Sequence, residues 1–532
     1  MMTRRQFFST TAGAAVAQGA GPRKPNFLVI LADDMGYSDA GCYGGEIDTP
    51  NLDRLAANGL RFTQCYSTAR CGPSRSCILT GRYAQQTASD VMTPGNIPEW
   101  TRFAPQYLKP LGYRSYHSGK WHMRFKPVAG AGFEHSYTLM DQNRFFTPQS
   151  HLLDDEKLAA VKAGDGYYAT VAIADHAVRI LKGHAASGGG AFFFYLAFTS
   201  PHFPLHALRE DIEHYKGRFT EGWDVARERR YARMKKMGLV NGALPPLETE
   251  TCPPWNTPAA ELVEKIGEGE VARAVPWASL TAAQKELQRT KMAIHAAMIT
   301  RMDREIGRVV DQLRAMGELE NTVIVFVSDN GASAEQLIRG DGHDPKAEAG
   351  SGASHLCLGP GWSSAANTPF RLHKSWVHEG GISSPCIVHW PAGIKDKGKL
   401  RHDPCHLVDL LPTMVDLGGG SVGGAVPAGS PGFAGVSLAP AFGRGGVLKR
   451  DYLYWHHLDN RAVRVGDWKL VSAGKGGAWE LYDLSKDRGE MRNLAGAMPG
   501  RVEEMANLWQ KTEDGLVKVR EGAVAMGKAG RM

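Results

Sequence analysis

The chain holds eight cysteines among 532 residues, too few for a small fold stapled by disulfides. It has no run of about 20 consecutive apolar residues, the length a membrane-crossing helix needs. Neither sign of charge dominates: 62 Lys and Arg stand against 55 Asp and Glu, a formal net charge of +7. No basic stripe with interleaved aromatics is present, so the footprint of a nucleic-acid binder is missing. No internal repeat is present either. At 43% hydrophobic and 22% charged residues, the composition is that of an ordinary globular enzyme. The length allows one large domain plus a smaller one. The small positive balance permits an anionic substrate without identifying one.

The N-terminus is more telling. Met1-Met2-Thr3-Arg4-Arg5-Gln6-Phe7-Phe8 precedes a mild small-residue run, Ser9 to Ala20. Twin arginines before Phe-Phe resemble a Tat export signal, and Ala15-Val16-Ala17 suits cleavage. We therefore expect a signal over 1–20, a catalytic domain over 21–445 and a C-terminal α+β subdomain over 446–532. The mature protein is expected to be soluble and periplasmic, with no membrane span.

Asn26 to Leu31 is a continuous apolar run, the pattern of a buried parallel strand, and it ends at Asp33-Asp34. Thr49-Pro50 opens a helix with Pro at its first position. Gly112 to Ser118 reads as a strand leading into Gly119-Lys120-Trp121-His122. Tyr168 to Leu181 reads as a helix, and Phe192 to Phe198 as a buried strand running to Pro201-His202. Met298 to Leu313 is apolar at helical spacing. It feeds a strand, Thr322 to Val327, that ends at Ser328-Asp329-Asn330-Gly331. Alternating strands and helices predict an α/β sheet with crossovers, and the polar clusters fall where open α/β sheets place their sites. The basic helix Arg227 to Met237 reads as a solvated face, and Gly418 to Gly432 as a Gly/Pro/Ser-rich loop. Tyr452 to Tyr482 reads as short strands, followed by a helix near Gly500 to Gln510.

Asp33-Asp34 and Asp329-Asn330 are two acidic pairs at the ends of two predicted strands. Three carboxylates and an amide oxygen make a hard oxygen site, suited to Ca2+ or Mg2+ rather than zinc. Lys120 and His122 lie two apart, which on a strand would turn both into one pocket. His202 ends another strand, and Lys374 sits in an N-T-P-F-R-L-H-K segment. Cations aimed at one point form an oxyanion site. Between them lies Cys71-Gly72-Pro73-Ser74-Arg75-Ser76-Cys77-Ile78-Leu79-Thr80-Gly81-Arg82. Gly, Pro and Ser predict a turn at Cys71 with a helix starting near Ser76. A nucleophile there would sit beside free backbone N–H groups at a helix N-terminus.

That dodecapeptide resembles the signature of type I sulfatases, and segments from Asn26 to Pro385 resemble the same family, closest to its bacterial arylsulfatase branch. Arg70 departs from the family pattern, which has a small or apolar residue before the Cys. The resemblance implies an alkaline-phosphatase-like α/β fold: a large mixed sheet flanked by helices, with a smaller C-terminal antiparallel sheet. It implies that Cys71 is oxidised to formylglycine by a maturase, and that the aldehyde hydrate is the nucleophile. Asp33, Asp34, Asp329, Asn330 and the modified Cys71 would bind one Ca2+. Arg75 would hold the hydrate. Lys120, His202 and Lys374 would grip the sulfate, with His202 or Lys374 protonating the leaving alcohol. His122 would remove the proton of the second hydroxyl, so that sulfate leaves by elimination.

Two other readings compete. A phosphonate or phosphate ester hydrolase of the same superfamily would use a similar site, and an unmodified, non-catalytic glycan-binding protein would leave Cys71 a thiol. The expected substrate is an aryl sulfate or a sulfated carbohydrate. Its alcohol would be read by loops, with Arg339 and His343 the first candidates and Leu205-His206, Gln142-Asn143-Arg144 and Trp362 beside them.

Overall fold

The computed structural model describes residues 23–90, 97–424, 426, 430–443 and 446–522. The export signal and its cleavage site lie outside the described residues. Among those described, no helix is long and apolar enough to cross a membrane.

The Asn26–Leu31 run continues one residue to form β1 (Asn26–Ala32), buried along its whole length. Alternate side chains leave a strand on opposite faces, and the two faces of β1 feed two cores. Leu28, Ile30 and Ala32 join one apolar cluster, and Phe27, Val29 and Leu31 join the other. This explains the unbroken apolar pattern: both faces are covered. The first face packs under Ala169–Ala186 and Ala282–Ala315. The second packs under Cys71–Thr80 and Leu410–Leu417.

The remaining strands of this sheet are β2 (Leu60–Tyr66), β3 (Arg114–Lys120), β4 (His135–Leu139), β5 (His151–Leu153), β6 (Glu156–Lys157), β7 (Phe192–Ala197), β8 (Thr322–Ser328), β9 (Ser383–His389), β10 (Lys399–Arg401) and β11 (Cys405–His406). The eleven-stranded sheet runs β10-β2-β9-β8-β1-β7-β3-β4-β5-β6, with β11 beside β2. Its centre is parallel: β1 pairs in parallel with β7 and β8, and β3 with β7. β9 runs antiparallel to β8 and β2, which makes the sheet mixed. A second, four-stranded antiparallel sheet follows: β12 (Leu453–His457), β13 (Asn460–Val465), β14 (Trp468–Ser472) and β15 (Glu480–Asp483). The helix Pro499–Glu521 buries Met505 and Trp509.

A buried ionic cluster ties the small sheet to the large one. Lys469 of β14 lies 3.0 Å from Glu379 and 2.8 Å from Glu490. Arg488 donates to the other oxygen of Glu379 at 2.9 Å. Lys469 and Arg488 hold the Glu379 carboxyl down to about 2 against the upward push of burial.

Three sequence expectations need correction. The Met298–Leu313 helix is the C-terminal half of a 34-residue helix, Ala282–Ala315. Its first turns are too polar to show an apolar face, yet Thr281 and Gln284 form a reciprocal capping box at its start. The basic helix, Gly222–Met237, is solvated on one side only: Glu228, Arg229, Lys235 and Lys236 are exposed, but Arg227 and Arg230 turn inward. Arg230 is wholly buried and is bound by Asp39 at 2.8 Å and Glu46 at 2.9 Å. A charge run hides such internal partners, because they come from a distant loop. The third correction concerns Cys71: the helix begins at Cys71 itself. Pro73 is tolerated there because N–H groups of a first turn have no intrahelical acceptor.

Candidate active site

β1 and β8 lie side by side in register, with Ala32 opposite Ser328. The next residues, Asp33 and Asp329, therefore emerge together, and the Asp329 N–H donates to the Ala32 carbonyl at 3.1 Å. The end of β7 joins them, since the Asp33 N–H donates to the Ser200 carbonyl at 3.0 Å, and this brings up His202. Gly331 lets a fourth segment close in. A Cβ there would stand 1.8 Å from the Gly380 carbonyl oxygen, so only glycine permits the approach. The Lys374 N–H donates to the Ala332 carbonyl at 3.1 Å. Cys71 enters from the helix that starts at it.

These segments converge. Ligand atoms of Asp33, Cys71 and Asp329 all lie within 4.8 Å of one another, as do those of Asp33, Asp34 and His202. Arg75, wholly buried, donates to Asp329 Oδ2 at 2.7 Å and to the Lys120 carbonyl at 2.9 Å. Lys120 Nζ donates to Asp33 Oδ2 at 2.5 Å. Lys374 Nζ donates to Asp34 Oδ2 at 2.8 Å and to His202 Nε2 at 3.3 Å. His202 Nδ1 donates to the Phe203 carbonyl, which leaves Nε2 as the acceptor facing Lys374. Asn330 Nδ2 donates to Asp34 Oδ1 at 2.6 Å.

Two oxygens in this cluster are buried without a hydrogen-bond partner: Asp33 Oδ1 and Asn330 Oδ1. Leaving such atoms bare is costly. Burial pushes both Asp33 and Asp329 carboxyls up. At Asp33 the charges of Lys120 and Arg75 overcome burial and hold it well below the usual range. At Asp329 burial and the neighbouring Asp33 charge win, and its carboxyl is pushed well up. Crowded buried carboxylates with bare oxygens and an all-oxygen amide-carboxylate set fit a hard divalent cation such as Ca2+.

The electrostatics also fix the histidines. Burial and Lys374 lower His202 to about 4, against the upward pull of Asp34, so its imidazole is neutral at pH 7. His122 is not on the strand. β3 ends at Lys120, and His122 has a left-handed φ of 56°, so the shared-face argument for this pair does not hold. A backbone turn brings the His122 ring to a cleft of about 470 Å3 that Arg70, Gly72 and Pro73 also line. His122 is exposed to solvent. The protein around the ring desolvates it and, with Lys120 and Arg75, lowers its pKa well below the ordinary value.

The loop candidates separate. Arg339 lies over the Phe203 ring at 5.6 Å, beside His202, and 4.0 Å from Glu335. His343 is engaged by its own loop, its Nδ1 accepting the His355 N–H at 2.9 Å. Gln142 lines the cleft, whereas Arg144 is held by both oxygens of Asp341 at 2.7 and 2.6 Å. Trp362 and Leu205-His206 are buried. Trp362 donates to the Gln288 carbonyl at 2.7 Å, so it is core and not a substrate contact.

Sequence reasoning missed Glu335. It is buried, accepts from Trp255 Nε1 at 2.9 Å, and lies 3.3 Å from both Arg70 and Lys374. Lys374 and Arg70 hold its carboxyl far below the usual range despite burial. Nothing local distinguishes it in G-A-S-A-E-Q. Its proximity to D-N-G, six residues after Asp329, was the available signal.

The sulfatase family model matches residues 25–420, and the model of the C-terminal part of N-sulphoglucosamine sulphohydrolase matches 370–521. An uncharacterized sulfatase of Schizosaccharomyces pombe is 32% identical, over 94% of this chain and 96% of its own. The arylsulfatase of Klebsiella aerogenes is 30% identical, over 76% of this chain and 89% of its own. In fold, the chain is similar to the crystal structure of Ps i-CgsB in complex with k-i-k-neocarrahexaose, at a TM-score of 0.66 and 23% identity, over 92% and 93% of the two chains. The first family match covers both acidic strand ends, the cysteine helix and the lysine loop, and the chain belongs to the sulfatase family, the hydrolases of sulfuric esters.

Proposed function

We propose that this protein hydrolyses an aryl sulfate or a sulfated carbohydrate with Cys71 in its formylglycine form and one Ca2+ held by Asp33, Asp34, Asp329, Asn330 and position 71. A maturase would carry out the oxidation, and the protein would work after export to the periplasm. The observation that carries the reading is the meeting of Cys71, Asp33 and Asp329 within 4.8 Å, inside a ring formed by Lys120, Lys374 and Arg75.

A formylglycine at position 71 would supply a hydrated aldehyde as oxygen nucleophile, and Ca2+ would neutralise charge on sulfate oxygens. The remaining work falls to the side chains. Cys71 Sγ marks where the nucleophilic oxygen would stand. Arg75 is pinned by Asp329, so its position is fixed before substrate arrives. Lys120 and Lys374 point ammonium groups into the same space and would bind sulfate oxygens, an electrostatic arrangement that needs no reorganisation. Lys374 and His202 share a hydrogen bond, and a proton for the departing alcohol would come from this pair. His122, neutral at pH 7, is able to accept a proton from a hydroxyl at position 71.

Mass spectrometry of the Cys71 peptide, from a host with and without a formylglycine-generating enzyme, tests the reading together with turnover of 4-nitrophenyl sulfate and 4-nitrophenyl phosphate. Activity should track conversion and favour the sulfate. Activity of the unconverted thiol form, or preference for the phosphate, would overturn it.

A further inference from the structure

We propose that the wall of the cleft formed by Arg70 and Arg124 is a subsite for a second anionic group, a sulfate or carboxylate, on the alcohol portion of the substrate. This rests on the reading of position 71 as the point of sulfate-ester attack.

The cleft of about 470 Å3 is lined by Gly72 and His122, next to position 71, and also by Arg70, Arg124 and Gln142. That volume lies within the range of small-molecule sites and is far larger than a sulfate group, so it has room for the alcohol. Pro73 and Met140 add apolar surface to the same lining, against which a sugar or aryl ring can lie.

Arg70 is aimed by its surroundings. It is the residue before the cysteine helix, with extended backbone. Its Nη1 donates to Ser375 Oγ at 2.9 Å and to Glu335 Oε1 at 3.3 Å. One nitrogen thus fixes the guanidinium, while the side chain keeps 24% of its exposure beside a Glu335 that keeps 1%. An anchored planar fork loses little freedom on binding an anion and matches sulfate or carboxylate with two parallel donors.

The local charge is also unbalanced. Glu335 is shared among Arg70, Lys374 and, at 4.0 Å, Arg339. Asp34 also lies 2.8 Å from Lys374, so two carboxylates face three cations, which still leaves a positive excess, and the exposed Arg124 adds to it. The acid that lines the cleft, Asp90, is buried and faces His457 Nδ1 at 2.9 Å. A partly enclosed wall with a positive excess attracts the opposite charge. The sulfate under attack is already met by Lys120 and Lys374, so the arginine wall is left for a different anion.

The test compares kcat/KM for glucose 6-sulfate with that for glucose bearing a second sulfate at C2, C3 or C4. The proteins are the converted wild type, Arg70→Gln and Arg124→Gln. Wild type should prefer at least one disulfate by about tenfold or more, the scale of a hydrogen bond to a charged group, and each substitution should reduce that preference about tenfold. An absent preference in wild type, or one unchanged in both variants, overturns the proposal. So does an equal slowing of mono- and disulfates in Arg70→Gln, which would make Arg70 only a positioning residue for Glu335. If the converted protein turns over no sulfate ester, the reading of its function has failed, and the subsite is judged by calorimetry on Cys71→Ala protein with the same sugars. Tighter binding of a disulfate, lost in the added Arg70→Gln change, supports the subsite, and equal affinities overturn it.

Discussion

Replacing Lys374 with methionine separates its two tasks. Its Nζ contacts Asp34 at 2.8 Å, Glu335 at 3.3 Å and His202 at 3.3 Å. Methionine keeps most of the stem volume and removes the charge. Breaking a buried ion pair commonly costs about 3–5 kcal/mol, because a carboxylate is left uncompensated. Here the loss is smaller. Glu335 keeps Arg70 and Trp255, and Asp34 keeps Asn330. We expect about 1–3 kcal/mol of stability, since each stranded carboxylate retains a donor. Catalysis should suffer more. Losing one preorganised donor to developing charge costs roughly 100- to 1000-fold in kcat, about 2.7–4 kcal/mol. The assay is urea unfolding of the variant beside steady-state turnover of 4-nitrophenyl sulfate at matched formylglycine content. A kcat within threefold of wild type would refute the placement of Lys374 on the sulfate. A loss of stability as large as an uncompensated pair would refute the claim that Arg70, Trp255 and Asn330 carry the remainder.

The same reasoning gives a control in Lys469→Met. Lys469 serves Glu379 and Glu490, neither of them a site residue; the change should cost about 3–5 kcal/mol while kcat of the folded fraction stays near wild type, and a large fall in kcat would contradict it. Chelation by EDTA should lower the melting temperature and Ca2+ should restore it, since Asp33 Oδ1 and Asn330 Oδ1 lack other partners; identical melting curves with and without EDTA would count against a resident cation. Acid should destabilise the protein through its buried neutral histidines. Burial lowers His206 to about 4, and His117 and His406 to about 3. Below the unfolded value near 6.5 the unfolded chain takes up protons that the folded chain refuses, so their contribution is full above pH 6.5 and declines until pH passes about 3 to 4. Each is worth on the order of 3 to 5 kcal/mol at most, and a urea midpoint that stays flat from pH 6.5 to 4 would refute this.

How far the sequence reached follows from where each signal lies. The strands at the sheet centre were legible because both faces are covered, so Asn26–Ala32 and Thr322–Ser328 show unbroken apolar runs. Their shared register was not written in either run. It arises from pairing across nearly 300 residues of chain, and only that pairing sets Asp33 beside Asp329. The same limit explains Arg230 and Glu335. Each is a charged residue buried against partners from distant segments, and local composition reads such residues as surface. His122 shows a different limit. Its spacing from Lys120 suggested a strand, but the strand stops and a left-handed residue turns the ring into the cleft. Spacing arguments hold only while the element continues. The cysteine helix adds a last point about position 71. Beginning the helix at Cys71 leaves the orphan N–H groups of its first turn close to that side chain, so the helix dipole and Arg75 both favour an anionic oxygen there. The buried acids favour a cation at the same place. An anionic oxygen at position 71, such as the hydrate of the proposed formylglycine would present, would use both.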